Sequence, residues 1–193
     1  MEYTKIRGFS RSHLSYGVAF LWGLCEGVFF FIVPDVYIGF VAIFSGMGGS
    51  VALLFALAGS LCSIFVIYAL NAWFGSKLIA LLLLIPGIHN PMVLGVLHAL
   101  QLHGASAVVL GPWSGVPFKI YSVLAASLSI PIGNYLVWSI PARIERTILV
   151  LMIGIILGWI FRRKIQEHPR IAIGIYAVVW VLIYSFYFTA VSF

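Results

Sequence analysis

The hydrophobic pattern along the chain is a series of long apolar runs, and only some of them are unbroken. Residues 171–192 and residues 50–73 each approach the ~20 apolar residues that a membrane-spanning helix needs. Residues 132–161 are a third predicted spanning helix, because the apolar end of this segment is too short alone and must begin near Ile132. The pattern therefore predicts helices and gives no alternation typical of strands.

Two further apolar segments, residues 12–48 and residues 105–129, are interrupted by prolines and glycines. Proline removes a backbone donor and clashes with the preceding helical turn. In hydrocarbon, the carbonyl groups that this frees need protein or water partners. Each segment is therefore predicted to be a re-entrant helical hairpin, with Pro34 at the first tip and Trp113 and Pro117 at the second.

The two broken segments resemble each other in sequence. VPDVYIGFVAIFSG, which starts at Val33, aligns with VPFKIYSVLAASLS, which starts at Val116, and a spanning segment follows each. Broken segments at matching places in two halves are typical of inverted-repeat transporters and mark their binding sites. The predicted fold is an all-α integral membrane protein, a single domain over residues 1–193, with two opposed re-entrant hairpins and spanning helices.

The overall composition strengthens the membrane assignment. Charged residues make up 8% of the chain and hydrophobic residues 63%, and the mean hydropathy is +1.13. Soluble domains carry roughly 25% charged residues. This composition excludes an ordinary soluble enzyme or binding domain.

The net charge of +6 comes from basic residues that flank the apolar runs, within residues 5–11 and 162–170. This arrangement is typical of cytoplasmic membrane ends rather than of a nucleic-acid-binding surface. We therefore expect a cytoplasmic N-terminus and an outside C-terminus. Residues 77–104, interrupted at Pro86 and Pro91, should then form two short interfacial helices instead of a single crossing.

Two acidic residues lie inside the first broken segment. Glu26 and Asp35 are two of only five acids in the chain. A charged side chain within a membrane costs ~3 kcal/mol on insertion scales, so such residues usually face a protein interior or a water-filled cavity and have a function. We expect both to serve proton or ion coupling. The alternative is a structural role, in which they pair with Lys119, Arg143 or Arg146.

Three basic residues are candidates for binding a phosphate. Arg143 and Arg146 are three positions apart and share a helix face, and the planar guanidinium fork matches phosphate oxygens. Lys119 follows the second tip and is a candidate for a further contact with the anion. The alternative for the arginines is an interfacial role near a helix end, which Pro141 would mark, with the side chains reaching toward the membrane surface.

Residues 23–146 resemble the DedA or SNARE-associated (VTT domain) family. The resemblance rests on Glu26 followed by Pro34-Asp35, on the segment WSGVPFK that ends at Lys119, and on the Arg143-x-x-Arg146 pair. It implies two opposed re-entrant hairpins and movement of lipids between leaflets, notably of polyprenyl phosphate in the bacterial inner membrane. Eukaryotic relatives scramble phospholipids.

The second tip departs from the family pattern. Typical members carry an Arg-Phe-x-Pro-x-x-Arg element there, and Ser114 stands at the position of the first arginine. Ala125-Ala126 stands where Ala-Gly is usual. These differences indicate a divergent branch, whose substrate is left open.

Two other classes of function remain as alternatives. The segment GPWSG, residues 111–115, is similar to a serine nucleophile turn, but Pro112 occupies the first glycine position and no spanning helix offers a histidine base. We therefore expect that the protein is not an enzyme. A membrane assembly or scaffold protein without transport is the other alternative.

No cofactor and no metal site is expected. The chain has no CxxC or HExxH motif, and Cys25 and Cys62 lie in apolar segments where thiols serve as packing residues. His89, His98 and His103 lack the spacing and the carboxylate that a metal site needs. The expected partners are membrane lipids and an anionic or lipid-phosphate substrate, without nucleic acid, and association between copies is left open.

Overall fold

The structure is a computed structural model that describes residues 2–191, and these residues form helices joined by turns, with no strand among them. The ten α-helices and one 3₁₀ helix are, in chain order, α1 (Glu2–Phe9), α2 (His13–Val28), α3 (Asp35–Phe44), α4 (Gly46–Phe74), α5 (Lys77–Leu82), α6 (Asn90–His103), the 3₁₀ helix (Gly104–Trp113), α7 (Phe118–Ser127), α8 (Ile132–Ile160), α9 (Arg162–Glu167) and α10 (Pro169–Val191). The predicted all-α class is therefore confirmed. The last residue of the predicted helix 171–192 lies outside the described residues.

Three helical stretches are long and apolar enough to cross a membrane, namely Gly46–Phe74, Asn90–Trp113 and Pro169–Thr189. This agrees with a membrane protein. Helix α8 has the same length as α4, 29 residues. It differs from these three because Arg143, Glu145 and Arg146 lie close together near its middle.

Helix α4 begins at Gly46, earlier than the predicted residue 50, because Ser45 caps it. The Ser45 Oγ accepts a hydrogen bond of 3.1 Å from the backbone N–H of Gly48, which satisfies one of the free donors of the first turn. Helices α2 and α3 are thus the two arms of the first broken segment.

The second half contains two short helices, α5 and α6, over the predicted range 77–104. The α-helix ends at Gly104, whose φ of +60° suits glycine, and the 3₁₀ helix follows directly. The combined stretch is long enough to cross a membrane, which the sequence analysis did not expect. Pro91 explains the difference, because it lies in the first turn of α6, where its missing N–H breaks no hydrogen bond.

In each half of the chain, the two helices that flank the Val-Pro turn pack on different long helices. Helix α2 packs on α4 and the 3₁₀ helix packs on α8, whereas α3 packs on α8 and α7 on α4. The long helices α4 and α8 also contact each other. Two glycines permit close backbone approach, since a Cβ at Gly59 would meet the carbonyl oxygen of Phe20 and one at Gly158 that of Ile43. Both Val-Pro turns therefore lie beside α4 and α8.

Candidate functional site

A cavity of about 330 Å³ lies between the turns at Pro34 and Pro117, which are called the first and second tips. Val33 and Pro34 of the first tip and Val116 and Pro117 of the second all line it. The two Val-Pro pairs are the same residues that align in the sequence. Side chains from α4, α8 and α10 complete the wall.

Glu26, near the end of α2, is the buried carboxylate at the centre of this site, with 3% of its surface exposed. Its Oε2 accepts a hydrogen bond from the Nη2 of Arg143. Its Oε1 lies 3.8 Å from the Nζ of Lys119, which is 2% exposed and donates a bond of 3.1 Å to the carbonyl oxygen of Phe30. One carboxylate therefore contacts two cations, and Lys119 links the second hairpin to the first.

Asp35, the first residue of α3, is the second buried carboxylate. The Nε of Arg146 donates to its Oδ2 over 2.8 Å, and the hydroxyl of Thr147 lies 2.9 Å from its Oδ1. The same hydroxyl is also 2.9 Å from the carbonyl oxygen of Arg143, so one proton is shared between two acceptors. A carboxylate in the first turn of a helix also interacts favourably with the helix dipole.

The two arginines lie near the middle of α8. Pro141 is inside this helix and does not end it, so the helix end on which the interfacial alternative depends is absent at this point. The guanidinium carbon of Arg143 stands 4.5 Å from the centre of the Phe118 ring, a distance that gives a cation–π interaction. The Arg143 side chain is 12% exposed and that of Arg146 is 35% exposed.

The five charged groups of the cavity do not cancel. Lys119, Arg143 and Arg146 contribute three positive charges, and Glu26 and Asp35 contribute two negative charges, so the ionised groups sum to +1. The pairing that a structural role requires is present for both carboxylates.

The remaining tip residue, Trp113, does not belong to the cavity. It ends the 3₁₀ helix, 62% of its surface is exposed, and it is not among the lining residues. The hydroxyl of Ser114, the residue in the serine-nucleophile alternative, lies 3.0 Å from the carbonyl oxygen of Gly111. Within the described part of the chain, no group of three or more His, Cys, Asp or Glu residues could hold a metal.

Two tyrosines of α10 were missed by the sequence analysis. The hydroxyl of Tyr184 accepts a hydrogen bond of 2.9 Å from the backbone N–H of Val33, and the hydroxyl of Tyr187 donates one of 3.1 Å to the carbonyl oxygen of Gly115. Each tyrosine thus binds the backbone of one tip. Their spacing of three residues places them on one helix face, and that spacing was the available signal.

Ser60 of α4 is a further lining residue that the sequence analysis did not single out. It is 2% exposed, and its Oγ has no hydrogen-bond partner among the described residues. A buried hydroxyl without a partner costs free energy. A bound hydroxyl or phosphate oxygen could provide that partner, because Ser60 and Glu26 line the same cavity.

Known proteins provide no direct guide to this cavity. Comparisons with protein families, with curated proteins and with solved structures find no match to this chain. The geometry and the charges of the cavity are therefore the basis for inferring a function.

Proposed function

We propose that this chain is a DedA-like transporter that moves a lipid-linked phosphate, or a small anion, across the bacterial inner membrane. The observation that carries the proposal is the cavity in which both Val-Pro tips meet three cations and two carboxylates. The resemblance in sequence supports the same assignment. The cytoplasmic N-terminus and outside C-terminus are part of the proposal.

The preference for an anion rests on the donors that remain free. Arg143 uses its Nη2 for Glu26, and Arg146 uses its Nε for Asp35. Each guanidinium has five N–H donors in a fork that fits phosphate oxygens. The excess positive charge of the cavity favours a ligand of negative charge, and a phosphate monoester carries about −1.5 to −2.

The proposed transport step is an exchange of partners around the cations. An ionised Glu26 competes with a phosphate for Arg143 and Lys119, because both anions need the same donors. Uptake of a proton by Glu26 removes its charge and leaves both cations available for the phosphate. Proton and substrate should therefore bind together, and binding of substrate should strengthen as the pH falls.

The re-entrant arrangement is supported by helix length. Helices α3 and α7 have 10 residues each, which is roughly 15 Å at 1.5 Å per residue. The hydrocarbon core of a bilayer is roughly 30 Å thick. Each helix can thus reach about half-way across, and a substrate site at the depth of the tips fits an inverted repeat.

Transport by the purified full chain in liposomes tests the proposal. The vesicles carry a fluorescently labelled anionic phospholipid, and an impermeant quencher outside reports how fast inner-leaflet label reaches the outer leaflet. We expect faster exchange than in protein-free vesicles, and faster exchange for the anionic lipid than for a labelled phosphatidylcholine. Exchange at the protein-free rate would favour the scaffold alternative, and equal rates for both lipids would contradict the phosphate site.

Cysteine accessibility tests the proposed topology. Thr4→Cys and Asn90→Cys, each in a chain whose Cys25 and Cys62 are replaced by serine, place one thiol at an exposed residue of α1 or α6. An impermeant thiol reagent should label the two positions from opposite sides of the membrane. Labelling of both from the same side would contradict the re-entrant assignment of the first hairpin.

A further inference from the structure

A second recess, of about 190 Å³, lies at the end of the bundle where α1 meets the start of α4 and the ends of α3 and α8. Three arginines line it, one each from α1, the α1–α2 turn and α9: Arg7, Arg11 and Arg162. No Asp or Glu is among the lining residues. The recess is separate from the cavity between the tips, with no lining residue in common.

The acids of the chain are engaged elsewhere. Four of the five acids form ion pairs with bases outside this recess: Glu2 with Arg170, Glu26 with Arg143 and Lys119, Asp35 with Arg146, and Glu167 with Arg163. The fifth, Glu145, does not line the recess. The three arginines therefore place about three positive charges around one small volume without a carboxylate to balance them.

One of the three arginines is held in place by the fold. The Nε of Arg11 donates a hydrogen bond of 2.9 Å to the Oγ of Ser45, which is also the cap of α4. The side chains of Arg7 and Arg162 have no hydrogen bond or ion pair within the described part of the chain. Their guanidinium groups are free to donate to a ligand.

The surroundings of the recess fit a position at the membrane surface. Trp159, which also lines it, is 77% exposed, and exposed tryptophans at helix ends are typical of the headgroup level. Tyr3 lies beside Phe44, with ring centres 6.2 Å apart, and connects α1 to α3. A cluster of arginines at this level is typical of a site for a phosphate group.

We propose that Arg7, Arg11 and Arg162 form a binding site for a phosphate group, carried by a lipid headgroup or free in solution. The proposal does not depend on transport through the cavity between the tips. Three guanidinium groups can surround the oxygens of one phosphate, and Ser45 keeps that of Arg11 oriented. The site would fix the bundle to an anionic leaflet or respond to soluble phosphate.

The test compares two variants that lose the same charge from the same helices. Arg7→Gln with Arg162→Gln removes two arginines of the recess, and Lys5→Gln with Lys164→Gln removes two neighbouring bases that do not line it. The purified full chain in a neutral detergent is titrated with inorganic phosphate, short-chain phosphatidylglycerol or short-chain phosphatidylcholine. The midpoint of thermal unfolding is followed by tryptophan fluorescence, and the apparent Kd is taken from its shift.

We expect the recess variant to bind phosphatidylglycerol about tenfold or more weakly, since each surface arginine contributes measurably to binding anionic lipid. The lysine variant should change by less than about twofold. The same loss for inorganic phosphate would identify a free phosphate as the ligand, and a loss confined to the lipid would identify a headgroup. An equal loss in both variants, or none in either, would overturn the proposal.

A conservative variant covers the case in which the double glutamine chain does not fold. Arg7→Lys with Arg162→Lys keeps the charge and loses the guanidinium fork. Binding should weaken by a smaller factor than in the glutamine variant, while the unliganded midpoint stays that of the wild type. Unchanged binding in this variant would contradict a site built on arginine geometry.

Discussion

The two hairpin tips line one cavity, but they bring opposite charges to it. The first hairpin supplies Glu26 and Asp35, and the second supplies Lys119. Helix α8 binds both carboxylates through Arg143 and Arg146. Helix α4, against which α7 of the second hairpin packs, contains no charged residue. Similar backbones are thus held by different forces, ion pairs for the first tip and apolar packing for most of the second.

The packing of the second hairpin illustrates the difference. Phe118 stacks on Tyr135 with ring centres 6.0 Å apart, and Ser122 and Tyr135 share a hydrogen bond of 3.1 Å. Tyr135 is fully buried. None of these contacts changes with the charge of a carboxylate. Under the proposed function, a proton taken up by Glu26 or Asp35 should therefore release the first hairpin more than the second, and the variants that follow test that asymmetry.

The largest effect is expected for Glu26→Gln, which removes the carboxylate that contacts both Arg143 and Lys119. Removing one partner of a buried ion pair leaves an unbalanced charge, at a cost of about 3–5 kcal/mol in known cases. Transport in liposomes should fall to the rate of protein-free vesicles. Glu167→Gln is the control, because this exposed acid pairs with Arg163 far from the cavity, and it should transport normally.

A double variant separates the two roles of Glu26. Glu26→Gln with Lys119→Gln restores the original charge sum of the cavity. If the carboxylate carries the proton, the double variant should regain thermal stability but not transport. Recovery of transport would show that Glu26 only holds the hairpins together.

Asp35→Asn should reduce transport strongly, but less than Glu26→Gln does. It breaks the bond to Arg146 and weakens the one to Thr147, but the Arg146 side chain is 35% exposed and can be solvated. A decrease of about tenfold corresponds to ~1.4 kcal/mol. Thr147→Val, which removes only the hydroxyl contact, is the matched comparison and should cost less. A greater loss for Thr147→Val than for Asp35→Asn would contradict the ion pair as the main support.

The sequence predicted the members of the cavity better than their pairing. The prolines, the acids and the arginine spacing are local signals, and the five charged residues that line the cavity are among the residues that these signals singled out. Which cation meets which acid depends on contacts between residues that are far apart in the chain, for example 117 positions for Glu26 with Arg143 and 111 for Asp35 with Arg146. The hydrophobic periodicity of a segment carries no information about contacts with residues so far away in the chain.

Other differences have local causes that the apolar pattern hides. Helix α4 begins earlier than predicted because the Ser45 hydroxyl caps it. A single serine within an apolar run is only a weak signal for a helix cap. Helix α1 was not predicted because it has only eight residues and several of them are charged. Trp113 ends the 3₁₀ helix directly before the second Val-Pro turn and is 62% exposed, so an apolar residue near a turn need not face the cavity.

The arginines of α8 should differ in their tolerance of lysine. Arg143→Lys loses a bond to Glu26 and the stacking on Phe118, where a cation–π contact is worth about 0.5–2 kcal/mol. Arg146→Lys keeps a cation near Asp35 in a more exposed place. Substrate affinity should fall several-fold more in Arg143→Lys than in Arg146→Lys. Wild-type substrate affinity in both lysine variants would indicate that the two arginines have a structural role.

The smallest effects are expected from the tyrosines that join α10 to the tips. Tyr184→Phe removes the acceptor for the N–H of Val33, and Tyr187→Phe removes the donor to the carbonyl of Gly115. A neutral hydrogen bond contributes about 0.5–1.5 kcal/mol, so each variant should lower the midpoint of thermal unfolding by a few degrees at most.

The double variant Tyr184→Phe with Tyr187→Phe tests whether the two tips move together. If the first tip is released by a proton while the second stays packed, the bond of Tyr184 breaks during transport and that of Tyr187 is kept. Their effects on the transport rate should then add in the double variant, with the larger part from Tyr184→Phe, because independent sites are additive. Tyr176→Phe, which removes a bond of 2.6 Å to the carbonyl of Val36 on α3, is the control for loss of a hydroxyl on the same helix. A double variant no slower than either single variant would mean that both tips open in one step, and the asymmetry between the hairpins would then be one of charge alone.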